Sequence, residues 1–199
     1  MSRTPRVVVG ISGASGAAIG LRVLERLVEA GGIETHLIIS AAAERTLSAE
    51  IGPDAPTRAR QLASCCHDHR DIGATIASGS FRTAGMIVAP CSIRSLSAIA
   101  YGQLDTLLVR AADVHLKERR RLVLLVRESP LHLGHLRAMA QVTECGAVVA
   151  PPVPPFYLKP GTIADLIDLI ALRAIGLLDL GLGAEVLPIN EWRGGEADR

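Results

Sequence analysis

The stretch from Arg6 to Glu29 constrains the fold more than any other part of the chain. Arg6–Ile11 reads RVVVGI, a β-branched apolar run suited to a strand buried on both faces. It passes directly into Gly10-Ile11-Ser12-Gly13-Ala14-Ser15-Gly16, and Ala17–Glu29 then carries apolar residues at helical spacing. A strand, a glycine loop and a helix in immediate succession open a βαβ unit. Four more short apolar runs follow, at Thr35–Ile39, Met86–Ala89, Leu122–Val126 and Ala147–Ala150. Helical patterns at Ala41–Ala49, Ser92–Ala100, Ala111–Arg119 and Leu133–Glu144 separate most of them. This alternation predicts an α/β fold built on a doubly wound, Rossmann-like parallel sheet.

The C-terminal third reads differently. Pro151–Pro160 is a stiff, proline-rich connector, and Thr162 stands three residues before Asp165, the spacing of a helix N-cap. Ile163–Leu178 is helical in pattern and apolar on more than one face, so it is expected to pack away from the sheet, on a neighbouring subunit. From Gly181 the sequence turns polar and glycine-rich. A single domain over residues 1–180 and a tail over 181–199, disordered from Gly194, are expected.

Composition narrows the function. Twenty-one basic against 20 acidic residues give a net charge of +1, with no basic tract longer than Arg119-Arg120-Arg121, which argues against nucleic acid as a partner. No apolar run has the length of a membrane span or a secretory signal, so no membrane association and a cytoplasmic location are expected. Cys65, Cys66, Cys91 and Cys145 do not form a disulfide framework in such a chain, and reduced thiols are expected.

Small residues in the Gly10–Gly16 loop let backbone approach a phosphate, and the helix that follows offers N–H donors and partial positive charge at its start. The spacing departs from the dinucleotide fingerprint, and the plain alternative is a tight turn with no ligand. A second loop, Ala89-Pro90-Cys91-Ser92-Ile93-Arg94-Ser95, also joins a strand to a helix, so the two loops are expected to flank one crevice at a topological switch point. Cys91 reads as a small buried thiol, because no local base would activate it. Arg127-Glu128 follows another strand, and Lys117, Arg127, Tyr157, Lys159 and Arg173 are candidates to gather around a dianion. Arg173 interrupts the apolar LIDLIALRAIGLL, where a charge needs either a ligand or an ion pair with an acid such as Asp168 or Glu185. Cys65-Cys66-His67-Asp68-His69 and His132/His135 are rich in metal donors, yet neither has zinc-site spacing, and no metal is expected.

GISGASGA at Gly10–Ala17, SGSFRT at Ser78–Thr83, APCSIRSLSAIA at Ala89–Ala100, LLVRAADVHLKERR at Leu107–Arg120, RESPLHLGHLRAM at Arg127–Met139 and PPVPPFYLKP at Pro151–Pro160 occur in order. Together they strongly resemble the flavin prenyltransferase (UbiX) family. The resemblance implies metal-independent transfer of a dimethylallyl group from dimethylallyl phosphate to N5 and C6 of reduced FMN. It further implies a dodecamer and a UbiD-type decarboxylase that receives the prenylated FMN. By resemblance, FMN contacts fall on Gly13, Ala14, Ser15, Ser40, Ser92, Ile93, Arg94, Ser95 and Arg127. Prenyl-phosphate contacts fall on Lys117, Arg127, Glu128, Tyr157 and Arg173. Glu50 resembles the carboxylate that, with Ser15, assists proton movement near the flavin; Glu128 is placed with them in the catalytic set. Phe81 stands where the family often has tryptophan, and Trp192 matches a further C-terminal aromatic.

Two other readings stay open on the residues alone. An FMN-dependent cysteine decarboxylase of this fold would carry an asparagine in a P-x-M-N type motif, whereas this chain has Pro90-Cys91-Ser92 and its only asparagine is Asn190. A flavin carrier without turnover would keep the fold and the flavin site but not the phosphate-binding set.

Overall fold

The computed structural model describes residues 4–181 and 183. Six strands form one sheet: β1 Arg6–Ile11, β2 Glu34–Ile39, β3 Cys65–His67, β4 Gly85–Cys91, β5 Arg121–Val126 and β6 Val148–Val149. Every pairing is parallel, in the spatial order β3-β2-β1-β4-β5-β6. The seven helices among the described residues are α1 Ala17–Ala30, α2 Ala41–Glu50, α3 Ala55–Leu62, α4 Ile93–Ala100, α5 Leu107–Lys117, α6 Leu133–Glu144 and α7 Ile163–Gly176.

Strand residues alternate between two cores, as the period-2 geometry of a strand requires. Val7, Val9 and Ile11 join Leu37, Ile39, Ile87 and Ala89 under α1, α2, α3 and α7. Val8 joins Ile38, Met86, Val88 and Leu124 under α4 and α5. Chain order therefore steps outward from β1 over one face, returns to β4, and steps outward again over the other. This is the doubly wound arrangement with its switch point between β1 and β4. The helix α1 lies close on β4 because residue 20 is glycine: a Cβ there would stand 2.0 Å from the Ala89 carbonyl oxygen.

Three expectations are corrected. The donor-rich segment at Cys65 is a three-residue edge strand, too short to show periodicity. The helix α3 went unread because only small residues, Ala55, Pro56 and Ala59, are buried in an otherwise polar APTRARQL. The helix α5 starts at Leu107, not Ala111, because Leu107 and Leu108 extend its buried stripe by one turn.

The helix α7 has the expected capping box: Thr162 Oγ1 accepts from the Asp165 amide at 3.1 Å, and Asp165 Oδ2 accepts from the Thr162 amide at 2.8 Å. Part of its apolar surface is covered inside its own chain, mainly by α1, in keeping with the expectation that it packs away from the sheet. Ile170, Ala171, Ala174 and Ile175 are buried in the same core as α1, and Leu178 reaches Gly85 of β4. At the rim of that contact, Asp168 accepts from Arg22 Nε at 2.7 Å and from Arg26 Nη2 at 2.5 Å, which holds its carboxyl below the usual carboxylate range, the Arg26 bond contributing most. The tail from 184, with Glu185, Asn190 and Trp192, lies outside the described residues.

His115 of α5 is fully buried, with Nδ1 2.7 Å from the Ala111 carbonyl oxygen and Nε2 2.8 Å from Thr83 Oγ1. Burial pushes its pKa down to about 4. The unfolded chain then binds a proton that the folded chain refuses, so this contribution to stability is complete above an unfolded pKa of about 6.5 and is lost as pH falls toward 4. Between those limits the wild type should lose on the order of 3 kcal/mol more than His115→Gln. Chemical denaturation across that range checks it, and parallel pH profiles for the two proteins would contradict it.

Candidate flavin site

The carboxyl ends of the central strands are tied together by backbone amides. Ser40 donates to the Ile11 carbonyl at 3.0 Å, Ser12 to the Pro90 carbonyl at 3.2 Å, and Arg127 to the Cys91 carbonyl at 3.0 Å. Ser12 adds a second link across the switch point. Its hydroxyl donates to the Pro90 carbonyl oxygen at 2.8 Å and accepts from the Ser92 amide at 2.7 Å, while the residue is 1% exposed. The β1 and β4 loops are thereby one rigid lip.

A cleft of about 410 Å³ opens beside that lip, lined by Gly13, Ser40, Ser92, Arg94 and Ser95. Five residues assigned to the flavin on sequence grounds thus share one wall. The helices α2 and α4 both begin there, each capped by its serine: Ser40 Oγ accepts from the Ala43 amide at 3.1 Å, and Ser92 Oγ from the Ser95 amide at 3.3 Å. Two positive helix starts and the cations Arg45 and Arg94 suit an anionic group, and Leu108 supplies an apolar surface for a ring. Glycine is required at 13, since a Cβ would lie 2.3 Å from the Ala42 Cβ. A flavin mononucleotide fits this donor set. Ala14 is buried, Ser15 is exposed in the β1 loop, and Ile93 opens α4.

The sequence did not single out four contributors. Ser12 sits inside the glycine loop as one more small residue, although its place at the end of a central strand marks it as a bridge. Arg45 lies one turn into α2, Thr106 caps no run that was read as helix, and His69 belongs to the segment read only for metal donors.

The start of α1 behaves otherwise than expected. The Glu50 carboxylate accepts from the Gly16 amide at 2.9 Å and the Ala17 amide at 2.9 Å. The positive end of α1 is already matched by an anion from the end of α2, which leaves the starts of α2 and α4 open toward the cleft. Glu50 stands beside Ser15, since it grips the next residue of the loop.

The second set does not gather within one chain. Tyr157 and Arg173 line a cavity of about 290 Å³ between the proline connector, α7 and Leu125. Arg173 is exposed there, and Asp168, its suggested partner, is held by Arg22 and Arg26 instead, so the burial argument for Arg173 does not apply. Arg127 and Glu128 are exposed beyond β5, the Glu128 carboxylate accepting from the Ser129 amide at 3.0 Å. Lys117, however, ends α5 just before β5 begins, at the amino end of the sheet. Its Nζ lies 2.8 Å from Glu118 Oε1. Phe81 is at that end too, with the Arg6 guanidinium 4.3 Å over its ring and His36 edge-on at 5.2 Å. Lys117 and Phe81 both belong to the face of the sheet covered by α4 and α5, whereas α7, which carries Arg173, packs on the other face. Cys91 is fully buried, and burial pushes its thiol up to about 12, an inert group as expected.

The flavoprotein family profile matches residues 1–171. The flavin prenyltransferase UbiX of Thauera aromatica is 52% identical over 191 residues, covering 96% of this chain and 95% of the relative. The chain belongs to the UbiX flavin prenyltransferase family. Among solved structures, AnUbiX (PadA1) in complex with FMN and dimethylallyl pyrophosphate superposes with a TM-score of 0.90 at 47% identity, covering 98% of this chain and all of that one. A dodecameric FMN-dependent UbiX-like decarboxylase from Escherichia coli O157:H7 gives a TM-score of 0.88 at 41% identity, covering 95% and 100%. Among the described residues no helix is long and apolar enough to cross a membrane.

Ser12→Ala removes the acceptor of the buried Ser92 amide, which should lower stability by about 1–3 kcal/mol. It should also weaken FMN several-fold by loosening the lip. Thermal melts and flavin fluorescence titrations check both; wild-type values in each would show that backbone pairing alone closes the crevice.

Proposed function

We propose that this chain is a flavin prenyltransferase that moves a dimethylallyl group from dimethylallyl phosphate to N5 and C6 of reduced FMN. The observation that carries it is the gathering of Gly13, Ser40, Ser92, Arg94 and Ser95 around one switch-point cleft, in a chain half identical to UbiX enzymes. Neither alternative gains support: the cysteine-decarboxylase asparagine is absent from the β4 loop, and the phosphate-binding candidates a mere carrier would lack are all present.

Cleavage of the allylic C–O bond leaves positive charge on carbon and adds negative charge to the departing phosphate. The phosphate side calls for fixed cations and hydroxyl donors, and Arg173 with Tyr157 supplies one such wall, with Arg127 nearby in sequence to β5. Reduced FMN, when bound, supplies the nucleophilic ring atoms and a π face for the allyl cation. Ring closure releases a proton from C6, for which Glu50, Ser15 and Glu128 are the candidate carriers. Glu50, gripping the loop at Gly16 and Ala17, also positions Ser15.

A complete phosphate site that includes Lys117 requires a second copy, because within one chain Lys117 and Arg127 stand at opposite ends of β5 and Arg173 is on the other face of the sheet. The dodecameric assembly of the E. coli relative supports such sharing, and a dodecamer is proposed here. Exposed Leu131, Leu133, Leu136, Val153, Phe156 and Ile163 provide apolar surface at the carboxyl end for that contact. The product is proposed to pass to a UbiD-type decarboxylase, in the cytoplasm.

Incubation with reduced FMN and either dimethylallyl phosphate or the diphosphate should yield the mass of a prenylated flavin with one or both donors. Arg173→Ala should cut turnover by about 10²–10³ while leaving FMN affinity near wild type, and Arg173→Lys should recover part of it. No prenylated flavin with either donor would overturn the reading; full turnover in Arg173→Ala would move the phosphate site elsewhere.

A further inference from the structure

We propose that His36, Cys65 and His67 form a binding site for a borderline-soft divalent cation of the zinc class, at the edge of the sheet and apart from the flavin cleft. Parallel pairing of β2 with β3 sets His36 against Cys65 and Ile38 against His67. Residues 65 and 67 share a face by strand parity, and His36 lies opposite Cys65 across the ladder, on the face where Ile38 meets α5. One Sγ and two ring nitrogens consequently fall within 4.8 Å of one another. The linear sequence hides this set, because the third donor stands almost thirty residues before the Cys-Cys-His run.

The geometry around His36 is that of a metal ligand with its supporting carboxylate. Its Nε2 lies 3.0 Å from Glu34 Oε1, and Glu34 Oε2 in turn accepts from Arg6 Nε at 2.9 Å. A carboxylate only accepts, so Nε2 carries the proton and Nδ1 presents its lone pair toward His67 Nε2, 2.9 Å away. In the pair as it stands, His67 Nε2–H donates to His36 Nδ1. A cation would take the place of that proton: His67 shifts its proton to Nδ1, the Cys65 thiol gives one to solvent, and both imidazoles remain neutral. Tetrahedral coordination at about 2.1 Å puts two nitrogens roughly 3.4 Å apart, so the rings need to part by only about half an ångström. An N₂S set with a thiolate selects zinc-class ions over magnesium or calcium, and the fourth position is left to water.

Cys66 gives an internal control. It projects to the other face, where its Sγ contacts the Arg60 carbonyl oxygen at 3.3 Å. A bound cation would clamp the short β3 to β2 and steady the segment two residues on, where His69 lines the flavin cleft.

The test uses the full-length, chelator-treated protein titrated with zinc by calorimetry and with cobalt(II) by absorption. One equivalent per chain is expected, with a thiolate-to-cobalt charge-transfer band, tetrahedral-type visible bands and a melting temperature raised by zinc. Cys65→Ser should lose the charge-transfer band and weaken zinc at least tenfold. His67→Gln should weaken zinc similarly, while Cys66→Ser keeps the band, the affinity and the thermal shift. Absence of stoichiometric zinc binding, a band that survives in Cys65→Ser, or a band lost only in Cys66→Ser would overturn the site. The arms do not depend on flavin or on turnover, so failure here leaves the prenyltransferase reading untouched.

Discussion

The parallel pairing of β1 with β4 is the constraint on which the rest of this molecule depends. Chain connectivity reverses there, so the loops leaving the two strands diverge and open a crevice that no other pair of strands could supply. That crevice keeps its shape because Ser12 fills the gap between the loops with two hydrogen bonds from a buried hydroxyl. Leaving either partner unmade in an apolar interior would cost about 1–3 kcal/mol. Gly13 and Gly20 serve the same junction by absence: one admits the start of α2 and the other lets α1 settle on β4.

Charge follows from that geometry. Three helices begin at the carboxyl ends of β1, β2 and β4, and each start carries partial positive charge. Glu50 matches the first, which leaves α2 and α4, with Arg45 and Arg94, to face a phosphate. The amino end of the sheet is organised separately. Arg120 donates to the Phe81 carbonyl at 2.8 Å, and the Arg6, Glu34 and His36 chain lies beside Phe81. Lys117 and Phe81 belong to this far end. A prenyl-phosphate site that used Lys117 with Tyr157 and Arg173 would have to be built between chains.

The central architecture was legible because its residues leave little choice. RVVVGI and the glycine loop admit few folds, and the Thr162/Asp165 cap was readable from spacing alone. The parts that escaped did so for physical reasons. The strand β3 is three residues long, below the length at which alternation shows, and α3 buries only small side chains beneath a charged surface. The membership of Gly13, Ser40, Ser92 and Ser95 in one cleft follows from where parallel strands end, which sequence can supply. The separation of Lys117 from Arg173 depends on which face of the sheet each helix covers. The grouping of His36 with Cys65 and His67 depends on the register of an edge strand that was not foreseen. Arg173 shows the remaining difficulty: an arginine in an apolar run reads as buried, yet α7 turns it outward onto the wall of a groove.

Hydrogen exchange with and without FMN, resolved by peptide, tests most directly the claim that the crevice between the β1 and β4 loops holds the flavin. Protection is predicted for amides in residues 12–16, 40–45 and 92–96, with little change at residues 117–121 on the amino end of the same sheet. Uniform exchange in those three segments, or protection confined to the amino end, would contradict the account.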